Sequence, residues 1–304
     1  MNTPTLGEKV VAYIRLARPA NIITAISDIL AGVAVSGIFT AQENYFPISL
    51  SSKISWLILS TTCLYAGGII FNDVFDAELD KKERPERPIP RGLATVTTAS
   101  IFGIVLLLLG IYAAYQNSIL SASIAFAVAL LALGYNAFFK HTLLAPLNMG
   151  MCRAGNLFLG MSIIAEKLTS FWFLGFAPLV FISAVTLVSK KEVHGATKRN
   201  LFPALALFNV VILALISYAL LPVFNLTNAF AFIILFSGCT LVPLVNATKE
   251  PSAEKIRIAV QYGVLSIILM NASLAAGFAG VEYGILISAL LPVSVFLSRI
   301  FAIT

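Results

Sequence analysis

The chain has 304 residues, of which 59% are apolar and only 11% charged, with a formal net charge of +6. A soluble domain carries roughly 25% charged residues, so this composition excludes an ordinary soluble enzyme and points to an integral membrane protein. The basic excess reports membrane topology, since no nucleic-acid module is present, and Cys63, Cys152 and Cys239 lie too far apart in sequence for a metal or redox motif.

A membrane-crossing helix needs about 20 mostly apolar residues. Ten stretches qualify in chain order: 20–39, 54–71, 96–115, 119–138, 144–165, 171–189, 202–221, 228–246, 260–279 and 283–303. The first follows Lys9, Arg15 and Arg18, contains Asp28 and lacks a cleavage site, so it reads as a membrane helix and not as a signal peptide. With the N-terminus inside, eighteen of the twenty Lys and Arg residues fall on the cytoplasmic side, leaving Lys53 and Lys167 outside. That asymmetry predicts a multi-pass membrane protein with both termini cytoplasmic, and a bacterial cell membrane is expected for it. No long linker interrupts it, so a single domain over residues 1–304 is expected, and its oligomeric state is left open.

The second helix runs into Phe71-Asn72-Asp73-Val74-Phe75-Asp76-Ala77-Glu78-Leu79-Asp80, followed by a basic, Pro-rich tail from Lys81 to Gly92. This stretch holds six of the fourteen acids and five of the twenty bases. Helical spacing puts Asn72, Asp76 and Asp80 on one face, with Asp73 beside them. One turn rises about 5.4 Å, close enough for the carboxylates to share divalent ions. Hard oxygen donors of this kind suit Mg²⁺, whose shell substrate phosphates can complete. The Arg and Lys residues behind them suit diphosphate oxygens. An ordinary charged loop would have no reason to place its acids at a four-residue period.

Farther along, Tyr135 and Lys140 close the fourth helix, and Asn148, Arg153 and Asn156 share a face of the fifth. Within the membrane, Asp28 and Arg153 are either functional or a structural pair, because an intramembrane charge is costly unless it is used or matched. Tyr65, Phe71, Phe75 and Tyr135 are either cavity-lining or ordinary packing aromatics. A second polar loop, Ser189 to Asn200, follows helix six as the acid stretch follows helix two, which suggests two related halves of four helices.

These motifs carry a resemblance. Asn72-xxx-Asp76-xxx-Asp80, the tail Arg84-Pro85-xx-Arg87-Pro88-Ile89-xx-Gly92, Arg15-Leu16-xx-Arg18-Pro19 and Tyr135-xxxx-Lys140 together resemble the UbiA superfamily of membrane prenyltransferases, over about residues 10 to 280. The resemblance implies an all-α bundle of nine to ten transmembrane helices around a central cavity. It implies a Mg²⁺-held prenyl diphosphate, loss of diphosphate to an allylic carbocation, and attack by a lipophilic, often aromatic, acceptor. Carried over, Asn72, Asp73, Asp76 and Asp80 become metal ligands, Asp76 and Asp80 catalytic. Arg84, Arg87, Arg91 and Lys140 become diphosphate contacts, and Lys191, Tyr135 and Arg153 further substrate contacts.

The second acid motif of the family, Asp-xxx-Asp, is altered here to Lys191-Glu192-Val193-His194-Gly195-Ala196. Glu192 stands for the first acid as ligand and catalytic residue, while Ala196 falls where the second belongs. His194 is a catalytic base or acceptor contact, or a ligand if Gly195 bends the loop; on a helix it points about 200° away from Glu192. The Ser-Lys-Lys-Glu-Val-His-Gly wording resembles a divergent UbiA-like subgroup of the Ebo gene clusters. The expected function is Mg²⁺-dependent prenyl transfer. The alternative is a transporter on the same scaffold that binds a polar or phosphorylated metabolite and breaks no bond.

Overall fold

The computed structural model describes residues 5–38, 48–190 and 198–301, all of them in helices and connecting turns. The helices are α1 (Leu6–Ala17), α2 (Pro19–Val35), α3 (Ile48–Phe75), α4 (Ala77–Glu83), α5 (Val96–Tyr115), α6 (Ile119–Gly134), α7 (Ala145–Met161), α8 (Ala165–Phe171), α9 (Phe176–Ser189), α10 (Lys198–Ser217), α11 (Leu226–Lys249), α12 (Ala253–Ala279), α13 (Val281–Ser288) and α14 (Leu290–Ile300). A π-helical turn, Tyr135–Phe139, prolongs α6.

Local sequence starts and stops these helices. Side chains of Thr95, Ser118, Asn225 and Ser252 accept backbone N–H groups at the first turns of α5, α6, α11 and α12, satisfying donors that a helix cannot satisfy itself. Pro19 opens α2, where its fixed φ suits the first turn and its missing N–H costs nothing. α4 ends at Glu83, just before Pro85.

Within the described residues, each of the ten stretches predicted from hydropathy falls mainly on helix. Eight helical spans among the described residues are long and apolar enough to cross a membrane. α1 and α2, bent by 44° at Arg18, make a ninth if counted as one broken span. The fifth predicted segment is α7, only 17 residues long and enclosed by the bundle. Outer helices show lipid their apolar side chains, with Leu108, Leu213 and Phe296 each more than 60% exposed.

α2, α7 and α12 form the interior, and α2 packs against both of the others. The contact between α2 and α7 is backbone to backbone. A Cβ at Gly32 would collide with the Leu157 carbonyl oxygen, and one at Gly160 with the Ile29 carbonyl oxygen. Small residues allow such close approach between membrane helices, where packing must replace the hydrophobic drive available in water. This approach brings Asp28 of α2 against Arg153 of α7.

Candidate active site

The acid stretch is nearly, but not wholly, one helix. α3 runs past the predicted end at Phe71 to Phe75, and α4 begins at Ala77 with Asp76 between them at φ −87° and ψ 0°. Backbone bonds nevertheless continue across the junction, from Asp76 N–H to the Asn72 carbonyl at 3.0 Å and from Asp80 N–H to the Asp76 carbonyl at 2.8 Å. Helical spacing then turns Asp73 and Asp80 to one side and Asn72 and Asp76 to the next, toward different neighbours.

Asn72 and Asp76 line a cavity of about 350 Å³ together with Arg18, Arg84, Arg87 and Lys140. Lys140, at the end of the π-helical turn, donates to Asp76. Asp73 and Asp80 are buried beside this cavity and bound to arginines. Arg87 bridges them, donating to Asp73 Oδ1 at 3.2 Å and to Asp80 Oδ2 at 2.6 Å. Arg18 also donates to Asp73 Oδ1, at 2.8 Å. Arg18 has φ +46°, the one described non-glycine residue with positive φ, a left-handed conformation that costs a residue with a Cβ.

On its other side the cavity is walled by Ile182, Val185, Thr186 and Ser189 of α9 and by Val260, Gln261 and Val264 of α12. Deeper in, Tyr65, Ile69, Tyr135, Met149 and Arg153 line both this cavity and an adjoining apolar slot of about 80 Å³ between α3, α6 and α7. Arg153 is buried at that junction. It donates to Asp28 Oδ2 at 2.9 Å, to Thr24 Oγ1 at 2.7 Å and to the Tyr65 hydroxyl at 3.0 Å. Of the two readings open for the intramembrane charges, the structural pairing is therefore present, and Arg153 faces the cavity as well.

Of the sequence-derived candidates, the structure thus gathers Asn72, Asp76, Arg84, Arg87, Lys140, Tyr135 and Arg153 around one space, with Asp73 and Asp80 directly behind. Arg91 is elsewhere: it lines a separate groove with Arg15, Glu8 and Glu86 against α1. Phe71 packs in the core and Phe75 is exposed, so neither aromatic lines the cavity. Lys191, Glu192 and His194 lie outside the described residues. Arg18 was the main omission; its signal was the Arg15-Leu16-xx-Arg18-Pro19 motif, which by itself gave no partner.

Among the described residues no three His, Cys, Asp or Glu side chains gather closely enough to hold a metal ion alone. Asn72 and Asp76 still fit Mg²⁺, which commonly takes one or two protein oxygens and completes its shell with phosphate and water. The surrounding bases fit the phosphate that such an ion would bring.

The profile of the UbiA prenyltransferase family matches residues 30–253, well over half of the sequence. The chain belongs to the UbiA prenyltransferase family. Among relatives, digeranylgeranylglyceryl phosphate synthase of Saccharolobus solfataricus is 25% identical over 85% of this chain and 94% of its own. The enzyme of the same name from Thermococcus onnurineus is 35% identical over a shorter stretch, 36% of each chain. The first relatives are thus matched over only about a third of their length. Among solved structures, one of digeranylgeranylglyceryl phosphate synthase superposes with a TM-score of 0.66 at 20% identity, covering 90% of this chain and 99% of that one. A UbiA homolog from Archaeoglobus fulgidus bound to GPP and Mg²⁺ superposes at 0.50 and 13% identity, covering 95% and 99%. These likenesses fix the fold, an all-helical membrane bundle.

Proposed function

We propose that the chain is a Mg²⁺-dependent prenyltransferase that moves an isoprenyl group from a prenyl diphosphate to a lipophilic acceptor. The observation that carries this reading is the convergence of Asn72, Asp76, Arg84, Arg87 and Lys140 on one cavity that continues into an apolar slot. A prenyl diphosphate has the matching shape: a polyanionic head and an apolar tail.

Asn72 and Asp76 would hold the ion, with Asp73 and Asp80 close behind. Mg²⁺, when bound, offsets the repulsion between carboxylate and diphosphate and stabilises the leaving group. Lys140, Arg84 and Arg87 neutralise the remaining phosphate charge from fixed positions, which is worth more in a recess than in open water. Ile69, Met149 and Val264 shield the reacting carbon from water, and the ring faces of Tyr65 and Tyr135 favour the developing allylic cation. Thr186 and Ser189 line the cavity, and Lys191, Glu192 and His194 follow them closely in sequence; to these we assign a second ligand and a base.

The wording of that loop favours the Ebo-cluster subgroup. Lys and Arg asymmetry favours both termini in the cytoplasm, the lack of a long linker favours one domain, and the Ebo-type wording favours a bacterial cell membrane. Purified protein incubated with radiolabelled prenyl diphosphates of several lengths, with and without Mg²⁺, and a cell lipid extract tests the reading. Label should pass to a lipid product with release of diphosphate only when Mg²⁺ is present. Bound but uncleaved prenyl diphosphate would favour the transporter reading.

A further inference from the structure

The floor of the cavity holds a second polar centre, separate from the acid motif. Along α3, Tyr65 lies seven residues from Asn72, a rise of about 10 Å. Arg153 sits at that depth against Tyr65 and faces both the cavity and the apolar slot.

The centre is built to hold one guanidinium in place. Asp28 is wholly buried, and both of its oxygens are taken: Oδ2 by Arg153 and by Asn156 at 2.9 Å, Oδ1 by Asn271 at 2.7 Å. It therefore cannot reach a ligand, and its effect is to orient Arg153. A guanidinium has five N–H donors. Three of these are engaged, with Asp28, Thr24 and Tyr65. The other two, on Nε and Nη1, have no partner among the described residues and remain for a molecule in the cavity.

Charge balance selects that molecule. Asp28 cancels Arg153, so the pair has no surplus positive charge to offer. Burying an anion beside it would leave a net negative charge in a low-dielectric floor, which is expensive. A neutral oxygen accepts the same hydrogen bonds without that cost.

We infer that Arg153, oriented by Asp28, is the specificity-determining residue for the second substrate and selects an apolar molecule bearing an uncharged hydroxyl or carbonyl oxygen. The inference rests on the prenyl-transfer reading only in naming that substrate the acceptor.

The test uses the full chain in nanodiscs and a matched probe pair, tritiated 1-naphthol and 1-naphthoate, with empty nanodiscs as background. Geranyl diphosphate with Mg²⁺ is bound in a parallel arm. Wild type should bind 1-naphthol saturably and about tenfold tighter than 1-naphthoate. Arg153→Met should weaken 1-naphthol about tenfold and affect geranyl diphosphate, held chiefly by Lys140, Arg84 and Arg87, by much less. Arg153→Lys, which keeps a partner for Asp28, should show the same loss and serves if the Met variant fails to fold. Asp28→Asn leaves Arg153 with an unbalanced charge, so preference should swing toward 1-naphthoate, an effect that mere structural damage would not produce. A wild-type preference for 1-naphthoate, unchanged 1-naphthol binding in both Arg153 variants, or an unmoved preference in Asp28→Asn would overturn the inference. Saturable, Arg153-dependent 1-naphthol binding without any geranyl diphosphate binding would support it and overturn prenyl transfer.

Discussion

Lys140 donates to Asp76, tying the end of the π-helical turn to the junction between α3 and α4. A cation so placed can serve both the carboxylate and a phosphate oxygen in the same cavity. Lys140→Met should therefore weaken geranyl diphosphate binding about 10- to 100-fold, the cost of about 1.5–3 kcal/mol for a lost charged hydrogen bond. Magnesium dependence should persist. Unchanged affinity in a binding assay would remove Lys140 from the diphosphate contacts.

Asp76 and Asp80 look equivalent in sequence, and both would be expected to sit at a watery membrane edge where removal costs little stability. The structure separates them. Asp76→Ala should stay folded and lose the magnesium dependence of ligand binding. Asp80→Ala should also lower the melting temperature, since it strips a buried partner from Arg87, at about 1–3 kcal/mol. Thermal unfolding in detergent distinguishes the two; equal melting temperatures would contradict the buried assignment.

At Arg18, side chain and backbone make separable contributions. Arg18→Gly and Arg18→Ala both lose the ion pair with Asp73. Both must adopt the left-handed φ, but only alanine has a Cβ that makes it costly, so alanine should be the less stable variant by about 1 kcal/mol. Parallel melting curves would reveal that difference.

For the altered second motif, Ala196→Asp should restore a carboxylate pair and lower the magnesium concentration needed for half-maximal turnover. His194→Ala should leave that concentration unchanged and reduce turnover. A loss of magnesium affinity on removing His194, as large as that in Glu192→Ala, would make the histidine a ligand.

The helices and the main site were legible because lipid imposes long apolar runs, and because a four-residue period of acids stands out against them. Partner choice was not. Arg18 reaches Asp73 across 55 residues of sequence, and Asn271 reaches Asp28 across 243, so no local pattern reports either contact. Arg91 shows the opposite error. It shares a charge-rich tail with Arg84 and Arg87, yet the turns after Pro85 carry it to the α1 side. The division of the acids between cavity and core follows from spacing that the four-residue period hid: Asp73 and Asp80, seven residues apart, share one side of a helix, and Asn72 and Asp76 the next.

The length of α7 bears on how the site meets the bilayer. Seventeen residues rise about 26 Å, less than the ~30 Å hydrocarbon core of a typical bilayer. Most of those residues are buried, so neighbouring helices, and not acyl chains, meet the shortfall. A short helix that offers lipid almost no face imposes no mismatch on it. The cavity wall that α7 supplies is thereby insulated from bilayer thickness. Reconstitution in phospholipids of different acyl length should leave the affinity for geranyl diphosphate unchanged.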